Sequence, residues 1–414
     1  MRQIAAAYRE AYRGLGRGPW VLAAVCFVNR CGTMVLPFLA LYLTTHRGFS
    51  TKGAGVVLTL YGAGAGIGAY WGGRLTDRFG AKRMQLASLT CAGLGFLVFG
   101  QLRAPLVIQL AALALGAINE SFRPANSVAF AAQSAPERLT QAFAVRRLAI
   151  NLGMTCGPAL GGILAKHDYG LLFLVDGGTC LVAAVLLAWL DRSTPPTLAA
   201  RAVATAAASP WRDVPYRALL ALAALHAAVL YQFFSTYPLA LREVHGFDEP
   251  RIGSIYAINT ILIVALEMVL VRHLAARAPL AIAAWGSLLF CGGFALLPFG
   301  RGYGWVAATV VVWTFGEMLT MPFLETVAAS RGGPGNRGSY LGAYNFAYSI
   351  AFAAAPLLGT AIYQRYGPLA VFTGCGALGI VLWLGLRTLS PLLARSAAPV
   401  APANATAVEP ATPT

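Results

Sequence analysis

Charge is scarce in this chain. Asp, Glu, Lys and Arg supply only 11% of its 414 residues, against about 25% in ordinary soluble domains, while hydrophobic residues reach 58%. That balance excludes a single soluble domain. There is no phosphate-cradling glycine loop with Lys and Ser/Thr, which argues against ATP-driven chemistry. No nucleophile–base set and no paired His or Asp marks an enzyme, so neither catalysis nor a cofactor is expected. The seven cysteines (Cys26, Cys31, Cys91, Cys156, Cys180, Cys291 and Cys375) lie in apolar stretches without metal-ligand spacing. They are read as small buried apolar residues, and no metal is expected. Residues 1–17 are basic with no apolar centre, which predicts no cleavable signal peptide.

What the chain has in abundance is long apolar runs. A membrane-spanning helix needs about 20 mainly apolar residues, and twelve such runs recur near 19–43, 53–73, 84–102, 105–127, 142–165, 169–190, 216–240, 251–271, 279–299, 304–326, 338–363 and 367–386. They are numbered spans 1 to 12. Placing the first residues in the cytoplasm and alternating puts 21 of the 31 Lys and Arg on the cytoplasmic side and 8 opposite, with Arg30 and Arg123 inside spans. The 21 include Arg146 and Arg147 at the start of span 5. Cations gather on the cytoplasmic side of membranes, so both termini are expected there. The net charge of +16 is thus spread along membrane edges, and nucleic-acid binding is not expected.

The chain repeats itself. Gly48-Phe49 recurs as Gly246-Phe247, Gly55 as Gly253, Pro124 as Pro322, Pro158 as Pro356 and Gly161 as Gly359, always 198 positions on. A common offset spread over both halves favours duplication of a six-span unit. The expected organisation is an N-terminal six-helix bundle at 1–190, a cytoplasmic linker at 191–213, a C-terminal six-helix bundle at 214–390 and a disordered tail at 391–414. The linker is rich in Pro, Ala and Ser, and the tail in Ala, Pro and Thr.

Two motifs carry a family resemblance. Between spans 2 and 3 runs Gly73-Arg74-Leu75-Thr76-Asp77-Arg78-Phe79-Gly80-Ala81-Lys82-Arg83, a basic connection holding one carboxylate. Gly73 and Gly80 are expected to permit the tight reversal. Asp77 is placed to join helix ends by charge-assisted hydrogen bonds. The stretch resembles the G-x-L-x-D-R-x-G-x-K/R signature of the major facilitator superfamily. In span 5, Gly153-Met154-Thr155-Cys156-Gly157-Pro158-Ala159-Leu160-Gly161-Gly162 has glycines spaced for close helix approach and a proline that loosens the helix. It is similar to the G-x-x-x-G-P-x-x-G-G signature of the drug/proton antiporter branch.

The resemblance spans 20–386. It implies an all-α integral membrane protein, with twelve transmembrane helices in two pseudo-symmetric bundles. Spans 1, 4, 7 and 10 would line a central cavity that opens alternately to either side. In the family the acidic residue corresponding to Asp77 meets the start of span 11, here Arg337-Gly338-Ser339. Asp77, Arg78, Arg337, Gly73, Gly80, Gly157, Pro158 and Gly161 are therefore expected to serve gating. Arg123 with Asn126 is similar to the span 4 pattern R-x-x-Q-G, in which Arg is tied to proton handling, although Asn126 replaces Gln and Ser127 replaces Gly.

Charged residues inside a bilayer need partners or a wet cavity. Arg30 of span 1, Glu120 and Arg123 of span 4 and Glu317 of span 10 are the candidate proton-coupling groups. Glu317 leads because it has no basic partner on its own helix. Glu120 and Arg123, three apart on one face, read equally as a structural pair, and Arg30 and Glu317 as interhelical ties. Expected substrate contacts are Arg30, His226, Tyr231, Gln232, Phe234, Glu317, Phe323 and Tyr344, with aromatic core packing as the alternative. His226 is also read as a hydrogen-bonded packing residue or a pH sensor. Asp176 is expected to bond to a neighbouring helix, Glu267 to snorkel towards Arg272 and His273, and Glu325 and Arg331 to lie at the interface. Pro37 and Pro238 are expected to kink the outer ends of spans 1 and 7.

The function expected is proton-coupled efflux of a drug-like or metabolite substrate across the cytoplasmic membrane by a monomer. The alternatives are proton-coupled uptake of a small polar solute or peptide, or a receptor that binds without flux. Asn29-Arg30 is distantly similar to the peptide-transporter pattern E-x-x-E-R, but Cys26 and Asn29 stand where its two Glu would be.

Overall fold

The structure is a computed structural model describing residues 14–49, 51–165, 167–191, 209–332 and 336–395. The expected linker from 192 to 208, the tail beyond 395 and the basic residues 1–13 lie outside the described residues. Among the described residues every regular element is helical. An apolar helix satisfies its own backbone groups, as the interior of a bilayer requires.

Among the described residues ten helical stretches are long and apolar enough to cross a membrane. The last, Arg337–Leu393, contains Gly367 at φ 82°, ψ 175°, a conformation that divides it into two helices. Ala81–Phe99 is also a 19-residue helix, but Lys82, Arg83 and Gln85 lower its mean hydropathy and keep it outside those ten.

The connection after span 2 is shorter than expected. The helix Thr51–Phe79 runs through Arg74 and Arg78, and Gly80 alone reverses the chain into Ala81–Phe99. Gly80 sits at φ 90°, a region that any Cβ makes costly. Gly73 is therefore not a turn residue. It lies inside a helix, where a Cβ would come within 2.3 Å of the Gly338 carbonyl oxygen and 2.7 Å of the Gly342 Cα. Its absent side chain lets spans 2 and 11 touch backbone to backbone.

Spans 1 and 7 are broken. Span 1 consists of Arg17–Cys31 and Val35–His46. Span 7 consists of Val214–Leu230, a 3-10 turn at Tyr231–Phe234, and Thr236–Glu243. Pro37 and Pro238 do not kink continuous helices. Each stands third in the second segment, within the first turn, where a missing N–H costs no helical bond. The outer ends of both spans also finish alike. Gly48 (φ 70°) and Gly246 (φ 66°) cap them, and the N–H of Phe49 and of Phe247 donates to the carbonyl of Leu43 and of Leu241, each at 3.0 Å. Each bond reaches back six residues over a left-handed glycine, and the arrangement repeats at the 198-residue offset.

Buried apolar side chains form three clusters. The largest lies towards the end carrying the Gly80 turn, here the basic end, and draws on both halves of the chain, joining Phe130 and Phe143 to Phe323, Tyr344 and Leu386. Beyond it the core divides. One cluster runs from Met34 to Cys180 and contains only residues of spans 1–6. The other runs from Val229 to Leu382 and contains only residues of spans 7–12.

Candidate functional site

Two sets of polar contacts cross between spans 1–6 and spans 7–12 in the shared core. The first is a cap. Asp77, in the last turns of the helix Thr51–Phe79, accepts hydrogen bonds from the N–H groups of Gly338 and Ser339, both at 2.7 Å, and from the Ser339 hydroxyl at 2.6 Å. These N–H groups open span 11 and have no intrahelical acceptor, so a carboxylate there satisfies both donors and meets the positive end of the helix dipole. Arg337 turns away and donates to the Ala329 carbonyl at 3.0 Å. Arg78 and Arg74 lie over the rings of Phe79 and Tyr70. Beside this cap Asp213, just ahead of span 7, takes Arg331 Nε at 2.7 Å and the Tyr340 hydroxyl at 3.1 Å, and caps Tyr216 N–H at 3.1 Å. Arg331 is thus tied within the C-terminal spans rather than left at an interface. Burial acts to raise the Asp213 pKa, but Arg331 and the Tyr216 N–H outweigh it, and the carboxyl is held below its ordinary value.

The second set is ionic and lies deeper. Arg146 and Arg147, counted above with the cytoplasmic loop, are both buried in span 5. Arg146 grips both Glu325 oxygens, at 2.6 and 2.8 Å, while its Nε donates to Asn126 Oδ1 at 3.0 Å. The Ser127 hydroxyl donates to the same Glu325 at 2.7 Å. Ser127 and Glu325 are themselves 198 residues apart, so the repeat brings two corresponding positions face to face. Arg147 reaches Glu317 at 2.9 Å and Glu267 at 3.1 Å, and donates to the Glu317 carbonyl at 3.0 Å. Glu317, which has no basic partner on its own helix, has one from another, as its reading as an interhelical tie expects. Glu267 does not snorkel: it is 1% exposed and faces inward. Glu325 is no interface residue either.

Glu120 and Arg123 pair at 3.0 Å, as their spacing allows, and Tyr231 of span 7 lies near Arg123.

The break in span 1 is held from two sides. Asp176 of span 6 accepts from Met34 N–H at 3.1 Å and Val35 N–H at 2.9 Å, capping the second segment as an interhelical bond. Span 5 packs its glycines against the same break. Cβ atoms added at Gly153, Gly157 and Gly161 would lie 2.5 Å from Arg30 Cβ, 3.1 Å from the Cys31 carbonyl oxygen and 3.1 Å from Met34 Cβ. The duplicate of Gly161, Gly359, abuts Gln232 at the break in span 7 in the same manner. The side chain of Pro158 lies outside the described residues. Arg30 lines a small polar recess with Asn29, Tyr61, Asn119 and Asp176, and its Nε has no hydrogen-bond partner among the described residues.

The expected substrate contacts do not form one wall. His226 is fully buried against Phe290, ring centres 4.7 Å apart, and neither ring nitrogen has a hydrogen-bond partner among the described residues. It is an apolar packing residue rather than a hydrogen-bonded one. Phe323 belongs to the shared core. Gln232 spends its amide closing the span 7 break, donating to the Ala355 carbonyl at 2.9 Å and accepting from the Thr236 hydroxyl at 2.9 Å. The hydroxyl of Tyr344 bonds to that of Tyr348 at 3.1 Å. Phe234 is exposed, and Tyr231 packs edge-on to Phe352, ring centres 5.0 Å apart.

Sequence reasoning missed Arg146, Arg147 and Glu267. Each carried a signal: two adjacent cations ahead of an apolar run, and one carboxylate within the otherwise uncharged stretch 252–271.

Comparison with known proteins agrees with this architecture. The profile of the Major Facilitator Superfamily matches residues 22–356. An uncharacterised MFS-type transporter, YqjV, of Bacillus subtilis (strain 168) is 26% identical over 381 residues, 89% of this chain and 92% of its own length. A Na(+), Li(+), K(+)/H(+) antiporter of Planococcus maritimus is 24% identical over 371 residues, 80% of this chain and 86% of its own. The multidrug resistance protein MdtH of Escherichia coli is 23% identical over 380 residues, 88% and 93% of the two lengths. Among solved structures, the human organic anion transporter MFSD10 (TETRAN) superposes with a TM-score of 0.71 at 19% identity, covering 89% of this chain and 99% of its own. With a profile matched over most of its length and its helices arranged as in a solved member, the chain belongs to the Major Facilitator Superfamily.

Proposed function

We propose that this protein is a secondary carrier that exports a small drug-like or metabolite molecule across the cytoplasmic membrane in exchange for protons. The observation that carries the reading is the division of the core. Spans 1–6 and 7–12 share one apolar cluster at the basic end and none beyond it. Such a molecule is closed at one end and parted at the other, one of the two states alternating access requires. The excess of Lys and Arg at the closed end supports a cytoplasmic position for it and for both termini. The molecule thus faces outward.

The moving parts are two six-span units, 1–190 and 214–390, joined by 191–213 and followed by a tail at 391–414. Dividing Arg337–Leu393 at Gly367 and adding Ala81–Phe99 brings the crossings to twelve. Asp77, Gly73 and Gly80, with Arg78 and Arg337 alongside, form the cytoplasmic gate. Gly157, Pro158 and Gly161 let span 1 bend against span 5. Glu317, Glu120, Arg123 and Arg30 are the proton-coupling groups, with Tyr231 and Phe234 at the substrate. Among the relatives, names that specify multidrug resistance and cation/proton antiport support the direction.

The test begins with a thermal-shift screen of purified protein at two pH values, since a ligand of the folded state raises the melting temperature. A hit is then followed in proteoliposomes. Substrate-driven proton movement opposite to the solute, lost in Glu317→Gln, is expected. Movement in the same direction would make the protein an uptake symporter, and binding without counterflow a receptor.

A further inference from the structure

Span 8 brings to the joint a carboxyl that the reading above does not use. Glu267 is 1% exposed and meets Arg147 at 3.1 Å, while the same guanidinium meets Glu317 at 2.9 Å. Two carboxyls therefore share one cation. Glu317 is the better-partnered anion, for Arg147 meets Oε1 at 2.9 Å and Asn259 donates a hydrogen bond to Oε2 at 2.9 Å. Glu267 is not. Neither of its oxygens has a hydrogen-bond partner among the described residues, and its one ionic contact is through Oε1.

Among the described residues no other group beside Glu267 offers it a second positive charge. Arg146 is engaged by both oxygens of Glu325. His226 of span 7 lies near Arg147 with no acceptor at either nitrogen, so a cation there would be both repelled and unpaired. Tyr344 and Tyr348 of span 11 face Arg147 as neutral phenols bonded to each other. A buried carboxyl that accepts no hydrogen bond, and whose single counter-charge is shared with a second carboxylate, takes up a proton instead of remaining ionised.

We infer that Glu267 holds a proton in this closed form, with Glu317 ionised opposite Arg147, so that the joint carries no net charge. Arg147 sits on span 5, whereas both carboxyls sit on spans 8 and 10. When the halves part, Arg147 leaves and Glu267 and Glu317 remain together, and two adjacent carboxyls without a cation bind protons more tightly. Proton number and closure are thereby linked through one side chain. The inference uses the proton-coupled reading only for its role in transport; the proton itself needs no substrate and no flux.

Infrared spectroscopy of the purified full-length protein in lipid reads it directly, through the carbonyl stretch of protonated buried carboxyls at neutral pH. Glu267→Gln should remove one carboxyl from that band. Glu317→Gln should remove one as well, because Arg147 is then free to ionise Glu267. Arg147→Met should increase this site's band roughly twofold, since both acids then lack a cation. Asp176→Asn identifies any separate contribution from the span 1 cap. A band unchanged in folded Glu267→Gln overturns the inference, and so does one retained in folded Glu317→Gln. Should Arg147→Met fail to fold, those two variants decide the matter. Because the band requires no solute, a protein that moved nothing would still show it, and the transport reading would fail separately.

Discussion

Removing the charge from Asp77 should unlatch the basic end. The carboxylate accepts three hydrogen bonds within 2.7 Å, two of them from the unpaired N–H groups that open span 11. Asp77→Asn leaves one acceptor oxygen and turns an amide donor towards a donor. Charge-assisted bonds contribute about 1.5–3 kcal/mol each, and a negative charge at a helix N-terminus adds about 0.3–1 kcal/mol. With one bond lost and the others neutralised, closure should weaken by about 2–4 kcal/mol. At 1.4 kcal/mol per tenfold, the open population rises roughly 30- to 700-fold. Cys26 is a suitable reporter, being 1% exposed inside the shared cluster. In a protein retaining Cys26 as its only thiol, an impermeant maleimide applied to inside-out vesicles should label it at least about tenfold faster in the Asn variant. Equal labelling rates would refute the latch.

Gly73→Val should act in the same direction, because the new Cβ meets the Gly338 carbonyl and the Gly342 Cα, backbone atoms that cannot rotate away; Cys26 labelling again measures it. Removing one side of the Arg146–Glu325 pair should cost about 3–5 kcal/mol, and removing both with apolar replacements much less. The melting temperature of Glu325→Leu should therefore fall below that of Arg146→Met/Glu325→Leu. Asp213 gives a pH signature. Its folded-state pKa lies below the ordinary 3.8, so its contribution is complete above that pH and is lost as pH falls through the lower folded value. The gap in melting temperature between wild type and Asp213→Asn should stay constant from neutral pH to about 5 and close only below 3.8; a gap closing near neutrality would contradict the assignment.

Much of the architecture was legible because a bilayer imposes its dimensions on sequence. The apolar runs, Gly80 as the reversal and the 198-residue echo all reflect local or repeated constraints. So do the contact of Asp77 with span 11 and the pairing of Glu120 with Arg123, the first through a motif and the second through helical spacing. The joint itself was not legible. Arg146 and Arg147 lie near the beginning of span 5, where cations ordinarily reach the membrane surface, and Glu267 stands close to Arg272. Only the packing of span 5 against spans 8 and 10 turns them inward, and their partners lie 120 to 179 residues away. The broken spans were hidden too, since the run 19–43 is apolar enough as a whole to read as one span.

The three apolar clusters differ in what fills them. Alanine supplies 17 of the 43 buried residues in the cluster common to both halves, but only 1 of 18 and 3 of 17 in the other two. Each methylene taken from water is worth about 0.8 kcal/mol, so methyl-lined helices nestle closely yet forfeit little when they come apart. The interiors confined to one half hold mostly larger side chains such as Phe, Leu and Tyr, while the cluster shared by the two halves is the richest in alanine. Whether it stays shut is left to a handful of ionic and helix-end contacts, which a proton or a solute is chemically equipped to disturb.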